Sequence, residues 1–283
     1  MTLSAKNKNP LAQFRLGVVA WAGDGLSYFS VDYQAALYWL DLVTNNSDAS
    51  KYSKATAYFI IGDIYANGPA EIKNISKAIQ YYTLAAQNNN IASQVRLGAI
   101  YFSESTSQEN LEKAEYWLEK AANRNNAAAK YLLFKLYMNP DFSHHNTDKA
   151  ISLLKSSSDQ GFPPAQGYLC TFLIFGKFVT QNYSQAFDLC QNAAKNGNAL
   201  AQASLGVMYY DGLGISKNII LAYVWLSVAA ARQEPGAEKL RDIVEEKMNQ
   251  EQLSQGQALS QIYEEYKDTS FSLKWIEQGQ GLE

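Results

Sequence analysis

The stretch AQASLGVMYYDGLGISKNIILAYVWLSVAA, residues 201–230, decides the fold. Ala201, Leu205, Gly206 and Tyr209 recur at helical spacing and share one helix face. Ala222, Trp225, Leu226, Ala229 and Ala230 do the same for a second helix. Between them DGLGISKN carries the glycines and asparagine of a helix stop and a turn. The stretch therefore reads as a helical hairpin. Gly206 and Ala222 are both small because a larger side chain at either site would hold the paired helices apart.

The same pattern runs upstream. Ile61-Gly62, Leu97-Gly98, Leu133-Phe134, Leu169-Cys170 and Leu205-Gly206 follow one another at a strict step of 36. A sixth copy, Leu16-Gly17, stands 45 residues before Gly62, an excess of nine. Ala12, Ala57, Ser93, Ala129, Ala165 and Ala201 keep the same phase, as do Ala78, Ala114, Ala150, Ala186 and Ala222. The periodicity predicts six hairpins, with helices near 11–23/31–44, 55–67/74–88, 91–103/109–123, 127–138/146–159, 163–176/182–195 and 199–210/217–231. Two closing helices are predicted near 235–248 and 251–266. One hairpin cannot bury its apolar face alone, so neighbours stack into a superhelix with a concave and a convex side. The tail 267–283 carries Phe271, Leu273, Trp275 and Ile276 and is expected to dock on the last helices. Leu282-Glu283 could be a scar left by a tag.

The repeat resembles the Sel-one-like repeat (SLR) family, a variant of tetratricopeptide repeats. The shared pattern is Ala-x3-Leu-Gly-x2-Tyr-x2-Gly followed by Lys-Ala-x2-Trp-x3-Ala-Ala. The sixth copy fits best, and KAEYWLEKAA at 113–122 fits nearly as well. The likeness covers roughly residues 11 to 236. Phe134 and Cys170 depart from its glycine and Ser157-Ser158 from its paired alanines. Either those helix pairs are spread or their neighbours have repacked. The resemblance implies an all-α, right-handed superhelical solenoid of six SLR/TPR-like hairpins, with repeats at about 11–54, 55–90, 91–126, 127–162, 163–198 and 199–233. Together they form an array over 1–233, with a helical cap at 234–266. It also implies a bacterial protein and a non-catalytic scaffold that binds a protein or peptide in its concave groove. The alternative is a hydrolase or ligand-binding enzyme acting on cell-wall-like substrates. Activities suggested for some relatives motivate it, and no constellation of residues does. Some SLR relatives carry a disulfide in each repeat, but the matching positions here are not cysteine.

Composition narrows the partners. With 47% hydrophobic residues the chain can build a core. Twenty-four basic and 27 acidic residues give a net charge of −3, so there is no basic excess to neutralise nucleic-acid phosphates. No apolar run is long enough for membrane insertion. No cofactor is expected, and a monomer is. The compartment stays open, periplasmic or secreted being expected if a leader was removed.

Chemical motifs are missing. There is no GxxxxGK[ST], HExxH, GxSxG or pair of CxxC. Gly23-x-Gly25 and Gly212-x-Gly214 read as turns between helices. His144 and His145 read as part of a solvated loop rather than a metal site. Cys170 and Cys190 sit at core phases of one hairpin and read as buried free thiols in preference to a disulfide. Glu245-Glu246 and Glu264-Glu265 read as solvated, and Trp39, Tyr81, Trp117 and Trp225 as core.

One row stands apart. Four residues after the glycine position come Trp21, Ala66, Phe102, Met138, Ile174 and Tyr210. On a helix this lies about 100° beyond the core-facing position at +3, toward the open face of each first helix. In tetratricopeptide arrays this row lines the concave groove, and the resemblance implies the same here. Trp21, Phe102, Met138, Ile174 and Tyr210 are therefore the expected partner-binding row, flanked by Arg15, Asp63, Arg96 and Lys135. The competing reading has curvature bury them between adjacent first helices.

Overall fold

The structure is a computed structural model that describes residue 5 and residues 8–23, 31–103 and 107–265. Fourteen α-helices and no strand occur among the described residues. They are α1 Pro10–Ala22, α2 Tyr33–Asn45, α3 Lys51–Asn67, α4 Ile75–Gln87, α5 Ile91–Ser103, α6 Gln108–Ala122 and α7 Ala127–Met138. There follow α8 Thr147–Asp159, α9 Pro163–Phe175, α10 Tyr183–Lys195, α11 Ala199–Asp211, α12 Ile219–Ala231, α13 Ala237–Glu245 and α14 Gln250–Glu265. This is the all-α repeat architecture expected from the 36-residue step. The tail 267–283 and Gly25 lie outside the described residues, as does the side chain of Glu264.

The helices start where short polar side chains satisfy free amides. Asn74, Asn146, Asn182 and Asn218, at related positions of four repeats, each accept from the amide three residues on. Asn126 and Asn198 cap first helices in the same way, and in repeat five Pro163 opens α9 without a side-chain cap. Each such cap is worth about 1 kcal/mol.

The helices form two compact units, one through His145 and one from Asn146. In the first, α1 packs on α2, α3 on α4 and α5 on α6, while each second helix also meets the next first helix. First helices also adjoin one another, α1 with α3 and α5 with α7. The second unit repeats the scheme with α9/α10 and α11/α12, and closes with α13 and α14 against α12. A hairpin's apolar stripe is thus covered by its neighbours, as a one-dimensional repeat array requires.

The glycine phase marks the closest contact in the hairpin. A Cβ added to Gly98 would fall on Leu118, and one added to Gly62 would lie 2.7 Å from the ring of Tyr82. At Gly206 the obstacle is Leu226. In each case the contact lies twenty residues on in the second helix. Cys170 and Cys190 occupy these two positions in repeat five, and here the expectation of free thiols is overturned. They form a disulfide, with Cα atoms 5.5 Å apart and both side chains fully buried. The contact that brings glycine against a bulky residue elsewhere brings two sulfurs together once both positions are cysteine. Ser157 and Ser158 stay buried in the places of the alanines. Trp117 and Trp225 are buried, and Tyr81 stacks on Tyr65 at 5.7 Å.

Candidate functional site

The expected row lies on the first helices, and its members differ in what they leave open. Trp21, at the end of α1, is half-buried and packs on the core around Leu40 and Ile61. Ala66 also packs inward. Phe102 near the end of α5 and Met138 at the end of α7 are half-buried, as is Tyr210 in α11. Ile174 departs from the rest. It is 3% exposed, and its carbonyl accepts a 2.8 Å hydrogen bond from Gln181 Nε2. The turn after α9 folds back at that point, so Ile174 offers no surface to a partner.

The flanking charges are partly paired with each other. Arg96 lies 3.5 Å from Asp63 Oδ1, which also accepts from Asn67 Nδ2 at 2.9 Å and from the Tyr82 hydroxyl at 3.3 Å. Burial, reinforced by the Asp63 charge, pushes the Tyr82 hydroxyl well above its ordinary pKa. Lys135 is exposed and its ammonium lies 5.8 Å from the centre of the Phe102 ring, a cation–π contact. Arg15 is exposed on α1. Two pairings are thus built into the first unit, Asp63 with Arg96 and Phe102 with Lys135. Tyr210 belongs to the second unit.

A polar cluster escaped the sequence reading. Glu115 and Glu119, one turn apart on α6, both reach the hydroxyl of buried Tyr137 on α7, at 2.6 and 3.0 Å. His144 Nδ1 lies 2.7 Å from the other Glu115 oxygen, so His144 is held rather than simply solvated. Burial first, then these two carboxylates, drive the Tyr137 hydroxyl strongly upward in pKa. A hydroxyl held protonated between two acceptors ties α6 to α7. The signal was legible in principle, because Glu115 and Glu119 stand at the i,i+4 spacing that presents both on one helix face.

A second set was also missed. Gln13, Gln94 and Gln202 are buried, and each donates 3.2 Å from its Nε2 to a carbonyl eight residues earlier. For Gln94 and Gln202 that carbonyl lies in the last turn of the preceding second helix, so the side chain fastens one repeat to the next. Their recurrence at the 36-residue phase was the available signal. No three metal-ligating side chains converge among the described residues, and no described helix is long and apolar enough to cross a membrane.

The profile of the Sel1 repeat matches residues 10–42, 55–90, 91–126, 127–162, 163–198 and 199–233. The chain belongs to the Sel1 repeat family. Solved Sel1-type structures resemble it over most of its length. One is the crystal structure of c5321, a protective antigen present in uropathogenic Escherichia coli strains and displaying an SLR fold. It superposes with a TM-score of 0.78 at 26% identity, covering 99% of this chain and 58% of that one. Another is a Sel1 repeat protein from Oxalobacter formigenes, with a TM-score of 0.67 at 25% identity, covering 81% of this chain and 64% of that one. The chain therefore spans less than two thirds of the length of either relative. No curated protein matches it. Sel1 repeats are typically protein-interaction scaffolds and generally not enzymes.

Proposed function

We propose that the chain is a non-catalytic scaffold that receives a protein or peptide partner on the face of its first helices. The observation that carries this reading is the half-buried ring of Phe102 with the Lys135 ammonium over it. A large ring that is partly wet is the kind of group that becomes an interface anchor. The Asp63–Arg96 pair supplies charges of both signs, which favours orientation over raw affinity. Trp21 and Met138 hold the same phase in the first unit, where Arg15 is exposed on α1, and Tyr210 is the matching position in the second unit. Ile174 is left out because it is buried. The hydrolase alternative gains no support from Tyr137 and Glu115, whose hydrogen bonds already satisfy each other.

The test is capture from the native source by the full chain, compared with Phe102→Ala, Tyr210→Ala and Tyr38→Ala. Tyr38 is a 59% exposed residue of a second helix and serves as the control. Proteins lost with the first two variants but kept by the third support the reading. Loss of a hot-spot ring should weaken binding by ~1–4 kcal/mol. Unchanged capture by Phe102→Ala and Tyr210→Ala, with helical content intact by circular dichroism, would overturn it.

A further inference from the structure

The helices that close the array leave one apolar face open. Both α13 and α14 pack on α12. On α13 the buried residues are Ala237 and Val244, seven apart and on one face. At about 100° per residue, Leu240 lies ~40° from Val244, and Ile243 a further ~60° round on the same side. The apolar face of α13 is therefore wider than the part that α12 covers. Leu240 is 38% exposed and Ile243 47%. Among the described residues they are the only exposed large aliphatic side chains of the second unit. Apolar surface held against water costs free energy until something covers it.

The path of the chain brings a cover to this face. Gly256, in the first half of α14, lies against Tyr223 in the first half of α12. Near the end of α14 the ring of Tyr263 lies 5.8 Å from the Arg232 guanidinium. Arg232 directly follows α12, and five residues later Ala237 opens α13. The chain thus leaves α14 at the end of the bundle where α13 begins. Phe271 comes six residues after Glu265, a reach of up to ~20 Å. α13 is only ~14 Å long, so all of it lies within that reach. Phe271, Leu273 and Trp275 alternate with Ser272 and Lys274, and Ile276 follows. That period of two sets apolar side chains on one side of an extended segment.

We propose that the tail of this chain docks through Phe271, Leu273 and Trp275 on Leu240 and Ile243 of α13. The docking expected from the sequence thereby gains a definite seat, and the tail completes the cover at this end of the array. It also closes the face to apolar segments of other chains, which would compete for the same two side chains. The site does not involve the first-helix row and stands or falls apart from it.

Trypsin cleavage after Lys274 in the full chain reports the undocked fraction, because the protease cuts the open form. Leu240→Glu combined with Ile243→Glu should speed that cleavage at least roughly tenfold, with helical content unchanged by circular dichroism. A second arm leaves α13 intact and decides alone if that variant loses helical content. In the full chain carrying Phe271→Ser and Trp275→Ser the face is open. A fluorescein-labelled peptide of residues 266–283 should bind it, read by fluorescence anisotropy. The peptide should bind the wild-type chain at least roughly tenfold more weakly, because the attached tail competes at high effective concentration. Adding Ile243→Glu to the serine variant should abolish binding. The proposal fails if Lys274 is cut equally fast in wild type and in the folded double-glutamate variant. It fails equally if the peptide binds neither chain, binds both alike, or is unaffected by Ile243→Glu. A wild-type dimer in sedimentation that Ile243→Glu converts to monomer would also overturn it, and would assign the face to a second copy of the chain.

Discussion

At Gly98 the side chain is missing because Leu118 occupies its space. Gly98→Val should therefore lower stability by ~1–3 kcal/mol through overpacking, measured by denaturant unfolding. A wild-type midpoint would mean that α5 and α6 part at no cost. Gly68, which caps the end of α3, is constrained differently. Its φ is −68°, open to any residue, and its constraint is the Ile64 carbonyl on which a Cβ would fall. The tyrosines carry a pH dependence. Tyr82 and Tyr137 are held protonated above the ordinary value of ~10. Below that value folded and unfolded chains are both protonated there, so the contribution of these groups is intact. Above it the unfolded chain releases protons that the folded chain keeps, and stability falls as pH rises. Tyr137→Phe should show a shallower loss of urea midpoint between about pH 9 and 11 than wild type; an identical slope would show that the Tyr137 hydroxyl titrates normally. The glycine phase was legible because a small residue repeating among large ones has one steric cause. Glu115 and Glu119 were not recognised, because their partner Tyr137 belongs to the next repeat and looks like any other residue at the +3 core phase.

Between elements, the Cys170–Cys190 bridge fixes α9 to α10 at the point where the other hairpins depend on fit alone. The sequence placed both cysteines at core phases, and burial was read from that correctly. The bond was missed because phase alone does not say that the two positions face each other. That follows only from the recurring contact between the glycine position and the residue twenty further on. A closed loop of this size should contribute about 3 kcal/mol through the unfolded state. Replacing both cysteines by alanine should lower the unfolding free energy by ~2–4 kcal/mol. Wild-type chain unfolded in denaturant without reductant should show no free thiol to a chromogenic reagent. Two reactive thiols per chain in that assay would restore the reduced reading. Most helix boundaries were well placed, since a loop such as DGLGISKN ends one helix and caps the next, but α3 begins at Lys51, four residues before the expected start, where Ser50 caps it by accepting from the Ser53 amide. The buried glutamines that fasten α5 to α4 and α11 to α10 were overlooked, because glutamine in an amphipathic pattern is ordinarily counted as surface.

Over the molecule as a whole, an array in which each hairpin touches only its neighbours has a stability that is a sum of local terms, and its ends need covering. In the second unit α14 provides that cover. Tyr263 meets Trp225 at 5.4 Å ring to ring, and its hydroxyl lies 3.4 Å from buried Gln202 Nε2. The close approach is made at Gly256, where an added Cβ would lie 2.8 Å from the ring of Tyr223 on α12. Gly256→Val should therefore lift α14 from its seat and open Trp225, Tyr223 and Gln202 to water. Hydrogen exchange should then quicken in α11 and α12 while α3 and α4, several hairpins away in sequence, keep their protection. That pattern follows from nearest-neighbour coupling, since the lost contacts lie within the last hairpin and its cover. A uniform rise in exchange from α3 through α12 would instead show that the repeats unfold as one cooperative body, and the effect of any single substitution would then be felt along the whole chain.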